Sequence, residues 1–202
     1  MTDLFKDKAQ AWDAQERVRS LSNGIGTALL KKIAFSETMH VMDFGAGTGL
    51  LSGHVAPYVA QVFAVDTSPA MLAQLKAKPG LQGKVETLCQ NILETPLNQT
   101  FDVIVSAMAL HHVEDTSLLF HQFAQHLKPG GQLALADLES EDGNFHPPEA
   151  EGVFHAGFDP EVIQSLLKQN GFEQIEFETV HTVNKAGVDY PIFLVSAQLP
   201  NF

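Results

Sequence analysis

The chain has 202 residues, 45% hydrophobic and 18% charged: enough for one domain of the usual roughly 100–200 residues, and too apolar for disorder. No run approaches the roughly 18 apolar residues of a membrane span, residues 1–7 lack the basic-then-apolar pattern of a signal peptide, and the lone Cys89 excludes an internal disulfide framework, so a cytoplasmic protein without a membrane partner is expected. The net charge of −12 is uneven, with 17 Asp/Glu against 3 Lys/Arg after residue 84, which argues against nucleic acid as a partner because a phosphate backbone would be repelled.

Residues 3–19 read as a weakly amphipathic helix. Residues 20–34 read as a second helix, with Leu21, Ile25, Leu29 and Ile33 at four-residue spacing. His40 to Phe44 is a short apolar strand that ends in glycines. Leu50 to Val55 starts a helix that Pro57 ends or kinks. Gln61 to Val65 is the next strand, stopped by Asp66. Ser68-Pro69 opens a helix running to about Lys78, with Ser68 as cap and Pro69 in the first turn.

Lys84 to Cys89 is a third strand. Phe101 to Ala107 is a fourth, apolar as a central strand buried on both faces should be. Asp115 or Thr116 opens a helix with Leu119, Phe123 and Leu127 on its inner face, ended by Lys128-Pro129-Gly130-Gly131. Gln132 to Leu138 is a fifth strand. Residues 139–158 are irregular, with Pro147-Pro148 and several aromatics and histidines. Asp159-Pro160-Glu161 caps a helix that stops at Asn170-Gly171. Residues 172–183 and 189–199 form two strands, and their short connection implies an antiparallel hairpin. The pattern is α/β: a doubly wound, mostly parallel sheet.

Val41 to Leu50 reads V-M-D-F-G-A-G-T-G-L. Glycines after a first strand let the backbone turn tightly and approach a ligand. A dinucleotide fingerprint has its third glycine one place later than Gly49. Asp43, two residues before the first glycine, would repel pyrophosphate and suit a positive charge. Asp66, ending the second strand, can accept both hydroxyls of a ribose. A ribose and a cation without phosphate describe S-adenosylmethionine. A nicotinamide-dependent oxidoreductase is the competing enzyme class.

The chain resembles the class I S-adenosylmethionine-dependent methyltransferases of the small, single-domain kind. The resemblance rests on Asp43 to Gly49, Val65 to Leu72, Phe101 to Ser106, Ala109-Leu110-His111-His112-Val113 and Leu127 to Gly131. It implies seven strands in the order 3-2-1-4-5-7-6 with strand seven antiparallel, one domain over residues 1–202, N-terminal helices or a lid over 1–34, and an acceptor-side insertion over 139–158. It implies that Gly45, Ala46, Gly47, Thr48 and Gly49 wrap the methionine part, with Asp43 near its ammonium. Asp66 would bind the ribose, with Thr67 and Met71 against ribose and adenine. Asn91 and Ile92 stand where the family often holds the adenine amino group with an acid. Ser106, Ala107 and Met108 would border the sulfur.

Methyl transfer from a sulfonium mainly requires donor and acceptor to be held in line, with a base only where the acceptor must lose a proton. Motifs for methylating amino groups on DNA bases or cytosine carbon are missing, and together with the resemblance this leaves a small molecule as the expected acceptor. Loops at the carboxyl ends of the strands supply its candidate contacts: His111 and His112 after strand four, Phe145, His146, Phe154, His155 and Phe158 from the insertion, and Trp12, with Phe5, as a lid or as packing. His155 and His111 are the candidate catalytic groups. Spacing gives no support to a metal site, and none is expected. A non-catalytic sensor or scaffold that binds the same cofactor is the alternative. The oligomeric state is left open.

Overall fold

The computed structural model describes residues 3–202. Its strands are β1 (His40–Phe44), β2 (Gln61–Asp66), β3 (Val85–Cys89), β4 (Phe101–Ala107), β5 (Leu127–Leu138), β6 (Glu173–Lys185) and β7 (Val188–Gln198). Its α-helices are α1 (Glu16–Lys32), α2 (Leu50–Val55), α3 (Pro69–Lys76), α4 (Thr116–His126) and α5 (Pro160–Gln169). The seven strands form one sheet in the order β3-β2-β1-β4-β5-β7-β6, the order the family resemblance implies. β7 runs antiparallel to both β5 and β6. The other neighbours are parallel.

Alternation along the strands divides the core. Val41, Val103 and Val105 face one side and pack with Ile25 and Leu29 of α1 and Leu51 and Val55 of α2. Met42, Ile104 and Leu135 face the other, against Leu119 and Phe123 of α4 and Ile163 and Leu167 of α5. The strands are apolar on both faces because helices cover both. This frame sets the carboxyl ends of β1, β2, β4 and β5 side by side, where ligands of such folds bind.

The helix starts follow the chemistry of their caps. Ser68 Oγ accepts from Met71 N at 3.2 Å with Pro69 next in the chain, and Asp115 and Asp159 cap α4 and α5. The chain differs from the sequence expectation at two places. Residues 3–19 are not one helix: turns lead into a 3-10 segment, Ala9–Ala14, and an extended Gln15 separates it from α1, which begins at Glu16. β5 starts at Leu127 rather than at Gln132. The Lys128–Gly131 stretch stays with the strand, turning through a left-handed Gly130, because it is pinned on both sides: Leu127 pairs with Phe101 across a register shift, and Gly130 N donates to Pro200 O while Leu199 N donates to Gly131 O. No helix among the described residues is long and apolar enough to cross a membrane.

Candidate active site

The turn after β1 is built on three left-handed glycines, Gly45, Gly47 and Gly49. They do different work. A Cβ on Gly45 would overlap the Ala109 methyl, so this glycine sets how closely the turn packs on the loop after β4. A Cβ on Gly47 would meet nothing within 4 Å, so its backbone faces open space where a ligand can approach. Gly49 is the left-handed cap of α2.

Two acids bracket this turn. Asp43 is 1% exposed and accepts from Ser52 Oγ at 2.6 Å. Burial pushes its carboxyl up to about 7, and the neighbouring charge of Asp66 adds to the shift against the Ser52 hydrogen bond. Asp66 accepts from Gly47 N at 2.7 Å and from Ser68 N at 2.8 Å. Burial raises it as well, while those N–H donors pull the other way. A cation entering between two desolvated carboxyls would favour the ionised form of both.

The remaining cofactor candidates are placed around the same rim. Thr67 is exposed beside Asp66, and Met71 is buried under the start of α3. Asn91 follows β3, and its Oδ1 accepts from Leu93 N at 3.1 Å while its Nδ2 donates to Glu94 at 3.0 Å. That local turn occupies one lone pair of the oxygen expected to meet an adenine amino group. Ile92 is fully buried. Ser106 Oγ donates to Phe44 O at 2.8 Å and ties the end of β4 to β1. Ala107 leads to Met108, which holds a left-handed φ of 57°. A large side chain there is strained, and Met108 N is fixed to Ala136 O at 2.8 Å.

The N-terminal segment is pinned to the start of α3 and to the glycine turn by two carboxylates that sequence reasoning did not single out. Asp3 accepts from Ser68 Oγ at 2.7 Å and from Ala70 N at 3.2 Å at the start of α3. Desolvation opposes its charge, but the hydrogen bonds from Ser68, Ala70 and Phe5 outweigh it and hold the carboxyl below its ordinary range. Asp13 accepts from Thr48 Oγ1 at 2.6 Å and pairs with Lys78. Between them, Phe5 meets Trp12 and His112 edge-on, with ring centres 5.9 and 5.4 Å apart. Trp12 thus packs on Phe5 from the 3-10 segment that precedes α1. No local signal marks either acid, because their partners lie 65 and 35 residues away in sequence.

Beyond the end of β4, three of the candidate histidines converge. The rings of His111, His112 and His146 have centres 4.2, 4.8 and 5.8 Å apart. His111 Nδ1 is 2.7 Å from Asp137 Oδ1, and both residues are almost fully buried. Asp137 also accepts from the backbone N–H groups of His111 and Leu138. His112 Nδ1 is 2.6 Å from Gly152 O. Burial pushes His112 and His146 down to about 4, with the His111 ring as a second cause in both. No group of three His, Cys, Asp or Glu side chains among the described residues is placed to hold a metal ion.

The insertion closes this end. Phe145 is buried against Tyr190 and His146, and Lys185 Nζ donates to its carbonyl at 2.7 Å. His155 does not join the trio. Its Nε2 is 2.8 Å from Val113 O and its ring lies on Phe158, so it braces the insertion against the loop after β4. Phe158 is buried and bridges Glu139, while Phe154 is half exposed and is held through its N–H to His111 O.

Residues 42–135 match the family model described as a methyltransferase domain. Over 155 residues the chain is 33% identical to an uncharacterized methyltransferase of Schizosaccharomyces pombe, covering 68% of this chain and 55% of that relative. It is 29% identical over 148 residues to the mitochondrial ubiquinone biosynthesis O-methyltransferase of the same organism, covering 67% of this chain and 54% of the relative. The chain thus spans little more than half the length of these relatives. Among solved structures, the N-methyltransferase NodS of Bradyrhizobium japonicum, in complex with S-adenosyl-L-homocysteine, shares the fold with a TM-score of 0.72 at 18% identity, over 98% of this chain and 95% of that one.

Proposed function

The chain belongs to the class I S-adenosylmethionine-dependent methyltransferase family, and from that premise we propose that it transfers the methyl group of S-adenosylmethionine to a small-molecule acceptor. The observation that carries the cofactor reading is the pair of desolvated carboxyls, Asp43 and Asp66, on either side of a glycine turn whose Gly47 opens onto free space. That combination suits a ligand with a positive charge and a ribose but no phosphate. Asp43 faces the ammonium, the Gly45–Gly49 turn wraps the methionine part, and Asp66 takes the ribose hydroxyls. Thr67, Met71, Asn91 and Ile92 border the ribose and adenine. Ser106, Ala107 and Met108 lie beside the sulfur.

The protein's contribution to the reaction is position. The leaving sulfur is already activated, so the rate gain comes from holding the acceptor in line with the methyl group and away from water. The N-terminal cover and the insertion around Phe145 support a small acceptor enclosed at that end. The acidic second half of the chain disfavours nucleic acid as that acceptor.

Calorimetry with S-adenosylhomocysteine, followed by transfer of labelled methyl from S-adenosylmethionine into the small-molecule fraction of a cell extract, tests this. Binding of NAD with no binding of S-adenosylhomocysteine overturns the cofactor. Tight cofactor binding without transfer to any fraction favours the sensor or scaffold reading instead.

A further inference from the structure

The histidine trio offers ring lone pairs, and burial holds His112 and His146 below the usual imidazole range. A carboxylate can only accept, so the proton of neutral His111 sits on Nδ1 toward Asp137, which leaves Nε2 as the basic nitrogen. The carbonyl of Gly152 likewise fixes the proton of His112 on Nδ1 and leaves its Nε2 unprotonated. His146 Nε2 is buried with no hydrogen-bond partner. Buried polar atoms without partners are rare and call for an explanation.

Three acids of the neighbouring segments already accept hydrogen bonds. Asp137 is fully buried and accepts three N–H groups. Asp13 is held by Thr48 and Lys78. Glu141 accepts from the N–H groups of Asn144 and Phe145. Asp13 and Glu141 thus have donors already and make no hydrogen bond to the imidazoles. A neutral acceptor that brings its own hydroxyl donors would satisfy the free imidazole nitrogens.

Resting on the methyltransferase reading above, we propose that His111, His112 and His146 form the acceptor pocket for a hydroxyl-bearing small molecule, with His111 as the catalytic base and Asp137 as its positioning residue. The acceptor hydroxyl donates to His111 Nε2. As the oxygen lone pair forms the new bond to the methyl carbon, the O–H proton passes to Nε2. The electron pair of the breaking carbon–sulfur bond stays on sulfur, which becomes a neutral thioether. The imidazolium that forms is stabilised by the Asp137 carboxylate behind it, and it returns its proton to water when the product leaves. His112 and His146 accept from a second hydroxyl or from ordered water and orient the nucleophile.

The full chain is assayed with labelled S-adenosylmethionine against two probe sets, catechol and 2-naphthol as hydroxyl acceptors and phenethylamine and tyramine methyl ether as amines. Binding of S-adenosylhomocysteine is measured alongside. Methylation of the hydroxyl set alone is expected. His111→Gln is expected to lower kcat by about 100-fold or more, the scale of a lost general base, with KM and cofactor affinity unchanged. Asp137→Asn is expected to lower kcat and remove the low-field Nδ1–H proton resonance of His111, and Asp137→Glu to regain part of both. If His111→Gln does not fold, wild-type protein loaded with S-adenosylhomocysteine carries the test: catechol must shift that resonance. Transfer to amines alone, no transfer to either hydroxyl while the cofactor product binds, full activity of folded His111→Gln, or an unmoved resonance at saturating catechol each overturns the proposal. Failure of S-adenosylhomocysteine to bind at all is separately visible and removes the methyltransferase reading itself.

Discussion

The Asp66 carboxylate accepts the Gly47 N–H at 2.7 Å, so the acid at the end of β2 also holds the glycine turn after β1. The same carboxylate that would meet a ribose therefore shapes the cradle for the rest of the ligand. Asp66→Ala is expected to weaken S-adenosylhomocysteine binding by about 1.5–3 kcal/mol, the scale of charge-assisted hydrogen bonds. Calorimetry checks it, and unchanged affinity contradicts the assignment.

Gly45 and Gly47 separate folding from binding. Both are left-handed, so an alanine at either meets backbone strain of roughly 1–2 kcal/mol. Only at Gly45 does the new methyl also overlap a neighbour, Ala109. Gly45→Ala is expected to lower the melting temperature clearly. Gly47→Ala should lower it less and yet abolish most cofactor binding, because its methyl projects into the space left for the ligand. Equal binding by Gly47→Ala and wild type would place the ligand elsewhere.

Asp43 gives a pH signature of known sign. Its carboxyl is raised from 3.8 to about 7 in the folded chain, with burial as the main cause. Its contribution to stability is therefore fully present below pH 3.8 and is lost as pH rises to about 7. The histidines His112 and His146, pushed down to about 4, act oppositely: their contribution is present above 6.5 and is lost as pH falls toward 4. Subtracting the melting curves of Asp43→Asn from those of wild type isolates the first effect, and the difference should grow with pH across that window. S-adenosylmethionine should bind more tightly as pH passes upward through about 7, as Asp43 ionises toward the ammonium. A flat difference would remove Asp43 from the charge balance.

His155 and His111 part company in the structure, although sequence reasoning offered both as catalytic groups. With its Nε2 on Val113 O, His155→Gln is expected to destabilise the fold by about 1 kcal/mol, the worth of an ordinary hydrogen bond. It should lower turnover far less than His111→Gln does. Denaturant melts and steady-state rates on the two variants decide the matter. A turnover loss equal to that of His111→Gln would restore His155 to the reaction.

The fold and the glycine turn after β1 were legible because their signals are local. Asp43, the glycines and Asp66 lie at strand ends that apolar runs and turn residues announce, and β4 reads from Phe101 to Ala107 without ambiguity. The convergence beyond β4 was legible only as a set of histidines. Joining His111 to Asp137 requires pairing β4 with β5, where Ala107 sits beside Ala136. A reading that combined the expected strand order with residues just past each strand end could have found that pair. Asp3 and Asp13 could not be found this way, since their partners are set by how the N-terminal segment lies across the folded sheet.

Residues 3–14 touch the start of α3 through Asp3, the glycine turn through Asp13, and the histidine pocket through Phe5 on His112. One stretch of chain therefore spans both halves of the site. If a bound ligand seats that stretch more firmly, a second ligand spends less on ordering it. Occupancy of either half should then tighten the other by the same factor, since such coupling is reciprocal by thermodynamic necessity. Replacing Asp13 by alanine should uncouple the two halves while leaving each able to bind alone, so cooperativity, more than either affinity, would be the quantity this short segment controls.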